Sequence, residues 1–217
     1  MMPTRKPSAR SVAKGSPNDI RIDHARIEPS DHEWLAGVQA LTLWAVDVPD
    51  GFLASLPELR LLDLRGGSGR FLSAIEGCRQ LEVLIVNQIR GLEDLTNVAA
   101  LTNLKLLSLY GLPQLRIPPS LAALRDLARL ELGSLKGLAT IAPLLDAPSL
   151  RELLLIRAVA LTEDDADLIV RYPTLEAFSW YAEDVPNKVW EPLVERVRLP
   201  RAQPMHPRDW MAARSEQ

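Results

Sequence analysis

Large apolar residues recur along the chain in a pattern that is neither one face of a helix nor a simple strand. Near the middle, the anchors are Leu104, Leu107, Leu109 and Leu112, separated by steps of three, two and three. The central part, Leu107-Ser108-Leu109, alternates between apolar and polar as a half-buried strand does. The pattern therefore predicts a short strand whose flanking leucines turn into the same core.

The same pattern repeats along most of the chain, and the first anchors of successive units lie 21 to 25 residues apart. These anchors are Val38, Leu59, Leu81, Leu104, Leu127, Leu150 and Leu175. With the anchor counted as column one, column four holds Leu41, Leu62, Leu84, Leu107, Leu130, Leu153 and Phe178. Column six holds Leu43, Leu64, Val86, Leu109, Leu132, Leu155 and Trp180. Ile20 and Ile22 fall in these columns and predict a degenerate opening unit, as terminal repeats usually are.

These columns resemble the leucine-rich repeat family, whose units follow L-x-x-L-x-L-x-x-N/C-x-L over about 20 to 29 residues. The resemblance covers about residues 17–185, and it is closest in type to short bacterial or internalin-like units. It departs at column nine, which carries no asparagine ladder but Val46, Gly67, Ile89, Leu112, Leu135, Ala158 and Glu183. The resemblance implies an α/β solenoid: a horseshoe with a parallel concave sheet of about eight short strands, and short helices or turns on the convex side.

The segments between the strands carry helix-start signals in two places. Ser30-Asp31-His32-Glu33 and Thr162-Glu163-Asp164-Asp165 predict capping boxes, while prolines elsewhere predict irregular or one-turn helices. Past Tyr181 the repeat ends, and apolar residues at helical spacing predict a C-terminal helical cap. They are Val189, Trp190, Leu193, Val194 and Val197. Because Pro192 is tolerated in a first turn, this helix is predicted to start near Glu191.

Composition divides the chain into three parts. Residues 1–18 carry a charge of +4 and almost no large apolar groups, so they are predicted to be a disordered basic tail. Residues 19–199 are the predicted leucine-rich repeat domain with its cap helix. Residues 200–217 are predicted to be a flexible basic tail, unless Trp210 and Met211 dock on the domain.

Charge and cysteine content narrow the class of protein. The net charge of −3 combines +4 in residues 1–18 and +3 in residues 196–217 with −10 between them, so nucleic-acid binding is not expected of the acidic body. The single cysteine excludes an internal disulfide, and no apolar run is long enough to span a membrane. We therefore expect a cytoplasmic protein, with a host-translocated effector as an alternative.

Candidate catalytic groups all have a simpler structural explanation. Cys78 lies in a core column, where free cysteine behaves as a small hydrophobe. The glycine-rich segment between Arg65 and Arg70 lacks a phosphate-loop motif and predicts a turn, with an anion held by the two arginines as the lesser alternative. His24, His32 and His206 have no partners at metal-ligand spacing. We therefore predict no enzyme, no cofactor, no metal and no small-molecule substrate.

Function is expected on the concave face, which strand alternation assigns to columns three, five and seven. The predicted protein-binding residues are Trp44, Leu61, Asp63, Arg65, Val83, Ile85, Asn87, Leu106, Ser108, Tyr110, Arg129 and Glu131. Exposed apolar patches bordered by tryptophan, tyrosine and arginine are typical of interfaces. The alternative is a face of ordinary strand formers, or one that a tail covers.

We interpret the chain as a noncatalytic module that binds a protein partner. Two alternatives share the same surface. One is a substrate-selecting or regulatory subunit of an enzyme complex, of ubiquitin ligase or phosphatase type, and the other is a bacterial effector or immunity-type protein.

Overall fold

A computed structural model describes residues 6–215 of the chain. Its central feature is a nine-stranded sheet in which the strands follow one another in chain order. The strands are β1 (Lys14–Ser16), β2 (Asp19–Asp23), β3 (Ala40–Trp44), β4 (Leu61–Arg65), β5 (Val83–Asn87), β6 (Leu106–Tyr110), β7 (Arg129–Leu135), β8 (Glu152–Val159) and β9 (Ala177–Tyr181). Strands β2 to β9 are parallel, and β1 pairs antiparallel with β2 at the edge. The predicted leucine-rich repeat solenoid with eight parallel strands is confirmed.

The register of the sheet follows the sequence columns. Leu107 pairs with Leu84 on one side and Leu130 on the other, and Tyr110 pairs with Asn87 and Gly133. Because columns align across strands, columns four and six of every unit point into one continuous core, where each side chain is at most 8% exposed. Stacking therefore buries a leucine face that no single unit could bury alone.

Short helices lie between most of the strands and at both ends of the chain. The 3-10 helices are Pro29–Asp31, Leu53–Ser55, Ser73–Ile75, Thr96–Ala100 and Ala142–Asp146, and the α-helices are α1 (Ala9–Val12), α2 (His32–Leu35), α3 (Glu163–Arg171), α4 (Asn187–Val197) and α5 (Pro207–Ser215). The predicted capping box of α3 is confirmed, because Thr162 Oγ1 accepts from the Asp165 amide and Asp165 accepts from the Thr162 amide. The one assigned to Ser30 is wrong: there the Glu28 amide donates to Asp31 Oδ2, and Asp31 also accepts from the Trp34 indole.

The bend after each strand satisfies its backbone without an asparagine ladder. Column eight adopts left-handed backbone angles in seven units, with φ between +49° and +66°. These residues are His24, Ala45, Gly66, Gln88, Gly111, Ser134 and Arg157. This turn lets an amide donate to the next unit, as Ala45 does to the Arg65 carbonyl at 2.7 Å and Gln88 to the Tyr110 carbonyl at 2.8 Å. The ladder of the sheet thus continues one residue past the strands.

The C-terminal helical cap is present, but it begins earlier than predicted. Helix α4 starts at Asn187, so Pro192 lies inside it rather than in its first turn. Proline removes the amide that would bond to the Lys188 carbonyl. Because Lys188 and Pro192 are both exposed, water can satisfy that carbonyl. Helix α4 packs on β9 and α3, and Arg196 forms an ion pair with Asp167 of α3.

The two predicted tails differ from the expectation in their described parts. Residues 6–18 contain α1 and β1 and cover the open end of the first unit, where Ala9 is fully buried and its amide donates to the Arg26 carbonyl at 2.9 Å. Residues 200–215 cross the face of the sheet and end in α5. Residues 1–5 and 216–217 lie outside the described part. Few apolar side chains suffice here because each segment docks through backbone hydrogen bonds and one or two anchors.

Candidate functional site

The apolar patch predicted on the concave face is present, and it is covered. Leu61, Val83, Ile85 and Leu106 lie together on the side of the sheet that faces away from the main core, each no more than 5% exposed. Trp210 of α5 completes this second apolar cluster. The alternative in which a tail covers the patch is therefore the arrangement in the structure.

A polar network beside the patch holds the arriving segment. Arg129 is 1% exposed and donates to Glu131 at 2.9 Å, to Glu152 at 2.7 Å and to the carbonyl of Gln203 at 3.0 Å. The carbonyl of Met205 accepts from the same guanidinium at 3.3 Å. Of the predicted site residues in this half, Arg129 and Glu131 thus face the chain's own C-terminal segment.

Column seven forms a rim that stays partly accessible along the same edge of the strands. Trp44 is 40% exposed, with the Arg21 guanidinium 5.4 Å from its ring centroid. Asn87 and Tyr110 follow in the same row and are half-buried. The ring of Tyr110 lies over Gly133, where a β-carbon would approach Tyr110 Cδ2 to 2.3 Å, so the glycine leaves room for the tyrosine.

Two predicted acidic and basic residues of the face pair with each other. Asp63 is 1% exposed and accepts from Arg65 Nε at 2.9 Å and Nη2 at 2.7 Å. This hydrogen bonding, with the added attraction of Asp23, raises the pKa of Arg65 against the effect of its partial burial. Arg65 is therefore held in a fixed orientation at the rim by a carboxylate that offsets its charge. Ser108 lies between Ile85 and Glu131 of the neighbouring strands and is 8% exposed.

An open cleft adjoins the rim at the first repeats, and we call it the rim cleft. It encloses about 840 Å³, and its walls include Trp44, Arg65, Gly66–Gly69, Phe71 and Arg90. Phe71 is 61% exposed. Lys6 and Asp47 lie at one side and form an ion pair at 2.6 Å, whereas the exposed Arg90 has no carboxylate partner among the described residues. The cleft thus combines two accessible aromatic rings with one arginine, Arg90, whose charge no carboxylate of the described residues offsets.

Sequence reasoning missed Phe71, Arg90 and Lys6 as parts of this site. Phe71 lies outside the repeat columns, and an out-of-register aromatic residue in a glycine-rich turn was the signal that could have identified it. Lys6 reaches the cleft from the N-terminal segment, where its side chain also donates to the Ala45 carbonyl at 2.9 Å.

Both arginines and two amides of the glycine-rich turn, the donors that an anion site would use, are engaged by other groups of the protein. Arg65 is engaged by Asp63, and Arg70 forms an ion pair with Glu93 at 2.8 Å. The amides of Gly66 and Gly69 donate to the carbonyls of Asn87 and Arg90. This geometry favours the turn over the anion-binding alternative.

Cys78 lies in the core and should be chemically inert in the folded protein. It is fully buried, and burial raises the pKa of its thiol from 9.0 to about 11. Because the thiolate is the nucleophile, only about one buried thiol in a thousand is in the reactive form at about pH 8. We expect iodoacetamide to leave Cys78 unmodified in native protein and to alkylate it in urea, as measured by intact mass. Equal alkylation rates in the two samples would contradict this prediction.

Two kinds of feature are absent from the part of the chain that the structure describes. Within residues 6–215, no group of three or more His, Cys, Asp or Glu side chains is arranged to hold a metal ion. Across the same residues, no helix is both long and apolar enough to cross a membrane.

Comparisons with known proteins find similar solved structures at low sequence identity. No family model and no curated protein matches the chain. Internalin C2 from Listeria monocytogenes is 19% identical over 74% of this chain and 80% of its own, with a TM-score of 0.45. Internalin F from the same organism is 18% identical over 85% of this chain and 73% of its own, with a TM-score of 0.34. We transfer no residue role from these proteins.

Proposed function

We propose that this protein is a noncatalytic protein-interaction module and that the rim cleft is the surface a partner reaches. The observation that carries the proposal is the pair of accessible aromatic rings, Trp44 and Phe71, on the walls of one open cleft. Tryptophan dominates binding hot spots because it buries a large rigid surface at low entropic cost, and neighbouring aromatic residues extend that surface. The centre of the concave face has no comparable accessible surface, because α5 covers it.

The charge of the cleft indicates what kind of segment it would accept. Lys6 is paired with Asp47 and Arg65 with Asp63, whereas Arg90 has no carboxylate partner among the described residues. A partner segment that places an apolar side chain between the rings and a carboxylate beside Arg90 would complement both features. We therefore propose a protein partner with an apolar and acidic binding segment, although the body of this protein is itself acidic.

We expect Trp44→Ala to weaken partner binding by about tenfold or more, which is about 1.4 kcal/mol. The ring is partly exposed, so its removal should change the unfolding free energy little. The partner is first captured from the native host and identified by mass spectrometry. It is then purified, and its affinity for each variant is measured by calorimetry.

Phe71→Ala should act in the same direction, and Ile117→Ala is the matched control. Ile117 is a 73% exposed apolar residue between β6 and β7, away from the rim cleft. Loss of affinity in the two cleft variants with an unchanged control supports the proposal. If Ile117→Ala abolishes binding while both cleft variants retain it, the partner binds a surface other than the rim cleft.

A substrate-selecting subunit and an effector or immunity-type protein would use the same surface. Their difference lies in the partner, so the captured protein decides between them. The internalin-like type of the repeats stays a proposal. So does a binding role for the remaining predicted face residues, such as Asn87 and Tyr110, which alanine variants measured in the same way would test.

A further inference from the structure

The C-terminal segment binds the concave face through contacts that resemble those of a bound peptide. Residues 200–202 add to the edge of β9, where the Phe178 amide donates to the Pro200 carbonyl at 2.9 Å. Ser179 and Tyr181 both donate to the Ala202 carbonyl, at 3.1 and 2.9 Å. The segment then runs over Arg129 and enters α5. Its path is fixed mostly by donors of the sheet and by carbonyls of its own backbone.

Two side chains of α5 carry the specific contacts, and they reach opposite ends of the sheet. Arg208 forms an ion pair with Asp19 of β2 and donates to Thr42 Oγ1 of β3 at 2.6 Å. Trp210 fills the apolar cluster of β4 to β6, and its indole donates to Glu152 of β8 at 3.2 Å. Residues two apart on a helix point to different sides. The curved face therefore holds α5 from both sides.

The segment itself contributes little to the buried core. Ala202, Pro207 and Trp210 are buried and Met211 packs against the apolar patch while partly buried, whereas Arg201 and the stretch 203–206 are exposed. By contrast, the sheet devotes four apolar side chains to the patch beneath α5. Elements with few buried apolar contacts open at low free energy. The arrangement matches a recognition surface and a removable occupant better than a shared core.

We propose that the concave face is a peptide-recognition surface that the chain's own C-terminal segment occupies in cis. Its partner in trans is a helical segment of another protein that carries an arginine two residues before a tryptophan. Such a segment would place the arginine on Asp19 and Thr42 and the tryptophan in the patch of Leu61, Val83, Ile85 and Leu106. The cis segment holds this surface closed until such a partner competes for it. This inference concerns a different surface from the rim cleft and does not depend on it.

The cis segment competes strongly because it is tethered. A short linker gives an effective concentration in the millimolar range, so a free peptide of the same sequence binds the closed protein weakly. Weakening the cis contacts raises the fraction of molecules with an open face, and the apparent affinity rises in proportion. This relation turns the proposal into a measurable difference between two full-length proteins.

The test uses a fluorescent synthetic peptide with the sequence of residues 200–217. Its anisotropy is measured with the wild-type protein and with the full-length Arg208→Ala/Trp210→Ala variant. We expect the variant to bind at least about tenfold more tightly than the wild type. A peptide with the Trp210→Ala replacement should bind neither protein. Val189→Ala, which truncates a 51% exposed residue of the neighbouring α4, is the matched control and should behave as the wild type.

Each other outcome overturns the proposal. Equal affinity for the wild type and the variant, or binding to neither, would show that the segment only stabilises the fold and does not occupy a recognition surface. If circular dichroism shows that the double variant does not fold, hydrogen exchange of α5 is measured in the wild-type protein with and without excess peptide. Exchange that the peptide leaves unchanged would also overturn the proposal. A wild-type dimer by light scattering that Trp210→Ala dissociates would assign the segment to a second copy. Phe71→Ala should leave peptide binding unchanged, which separates this surface from the rim cleft.

Discussion

Leu130→Ala is expected to lower the free energy of unfolding by about 2 to 5 kcal/mol. Leu130 is fully buried in column four of β7, between Leu107 and Leu153 of the neighbouring strands. The backbone ladder holds both neighbours in register, so they cannot collapse into the space that the leucine leaves. The cavity therefore remains and adds its cost to the lost transfer free energy.

The measurement is urea unfolding followed by circular dichroism, with the midpoint compared at a constant slope. Ile117→Ala is the matched control, because its side chain is 73% exposed and its truncation should change stability by less than about 0.5 kcal/mol. A loss below about 1 kcal/mol for Leu130→Ala would mean that the column-four leucines do not form a shared core.

The repeat architecture could be predicted because its signal is periodic and local. Each unit carries apolar residues in columns four and six, so a weak pattern in one unit is supported by six others. A parallel solenoid then follows, since a unit with one apolar side must stack to bury it. The local structure of single units was harder to predict. Asp31 forms its capping box with Glu28 rather than with Ser30, because the helical turn there begins at Pro29.

The state of the concave face could not be predicted, since its cover lies far away in sequence. Glu152 and Trp210 are separated by 58 residues, and Thr42 and Arg208 by 166. The C-terminal segment has no repeat register and few apolar residues, which is typical of a solvated tail. Its docking rests on Trp210 and Met211 against the apolar patch, on Arg208 and on backbone carbonyls. The sequence did indicate the sheet's side of that contact, the apolar column-three residues Leu61, Val83 and Leu106.

For the polar half of the concave face, the sequence indicated which residue types were present but not whether they were buried. Arg129 and Glu131 alternate with leucines in β7, and Glu152 precedes a leucine in β8, as polar residues of an exposed strand surface would. The structure buries the guanidinium, because the C-terminal segment passes over it and supplies two carbonyl acceptors. A charged residue that looks solvated in sequence can therefore be a buried centre when a distant segment covers it.

Arg129→Met is expected to destabilise the protein by about 3 to 5 kcal/mol, because it leaves a buried carboxylate without its counter-charge. The side chain of Glu131 is 7% exposed and that of Arg129 is 1% exposed, with 2.7 Å between Arg129 Nη2 and Glu131 Oε1. Arg151→Met is the matched control on the same sheet. The pair that it breaks, Arg151 with Glu176, has side chains that are 55% and 63% exposed, so its loss should cost less than about 1 kcal/mol.

The double variant Arg129→Met/Glu131→Gln separates the cost of the stranded charge from the worth of the pair. Removing the carboxylate's charge should recover more than half of the stability that Arg129→Met loses, as judged by urea midpoints in a double-mutant cycle. The recovery should be incomplete, because the carbonyls of Gln203 and Met205 still lack their donor. A double variant no more stable than Arg129→Met would show that the loss comes from the released C-terminal segment alone. An Arg129→Met cost no larger than that of Arg151→Met would show that the buried network contributes no more than a surface ion pair.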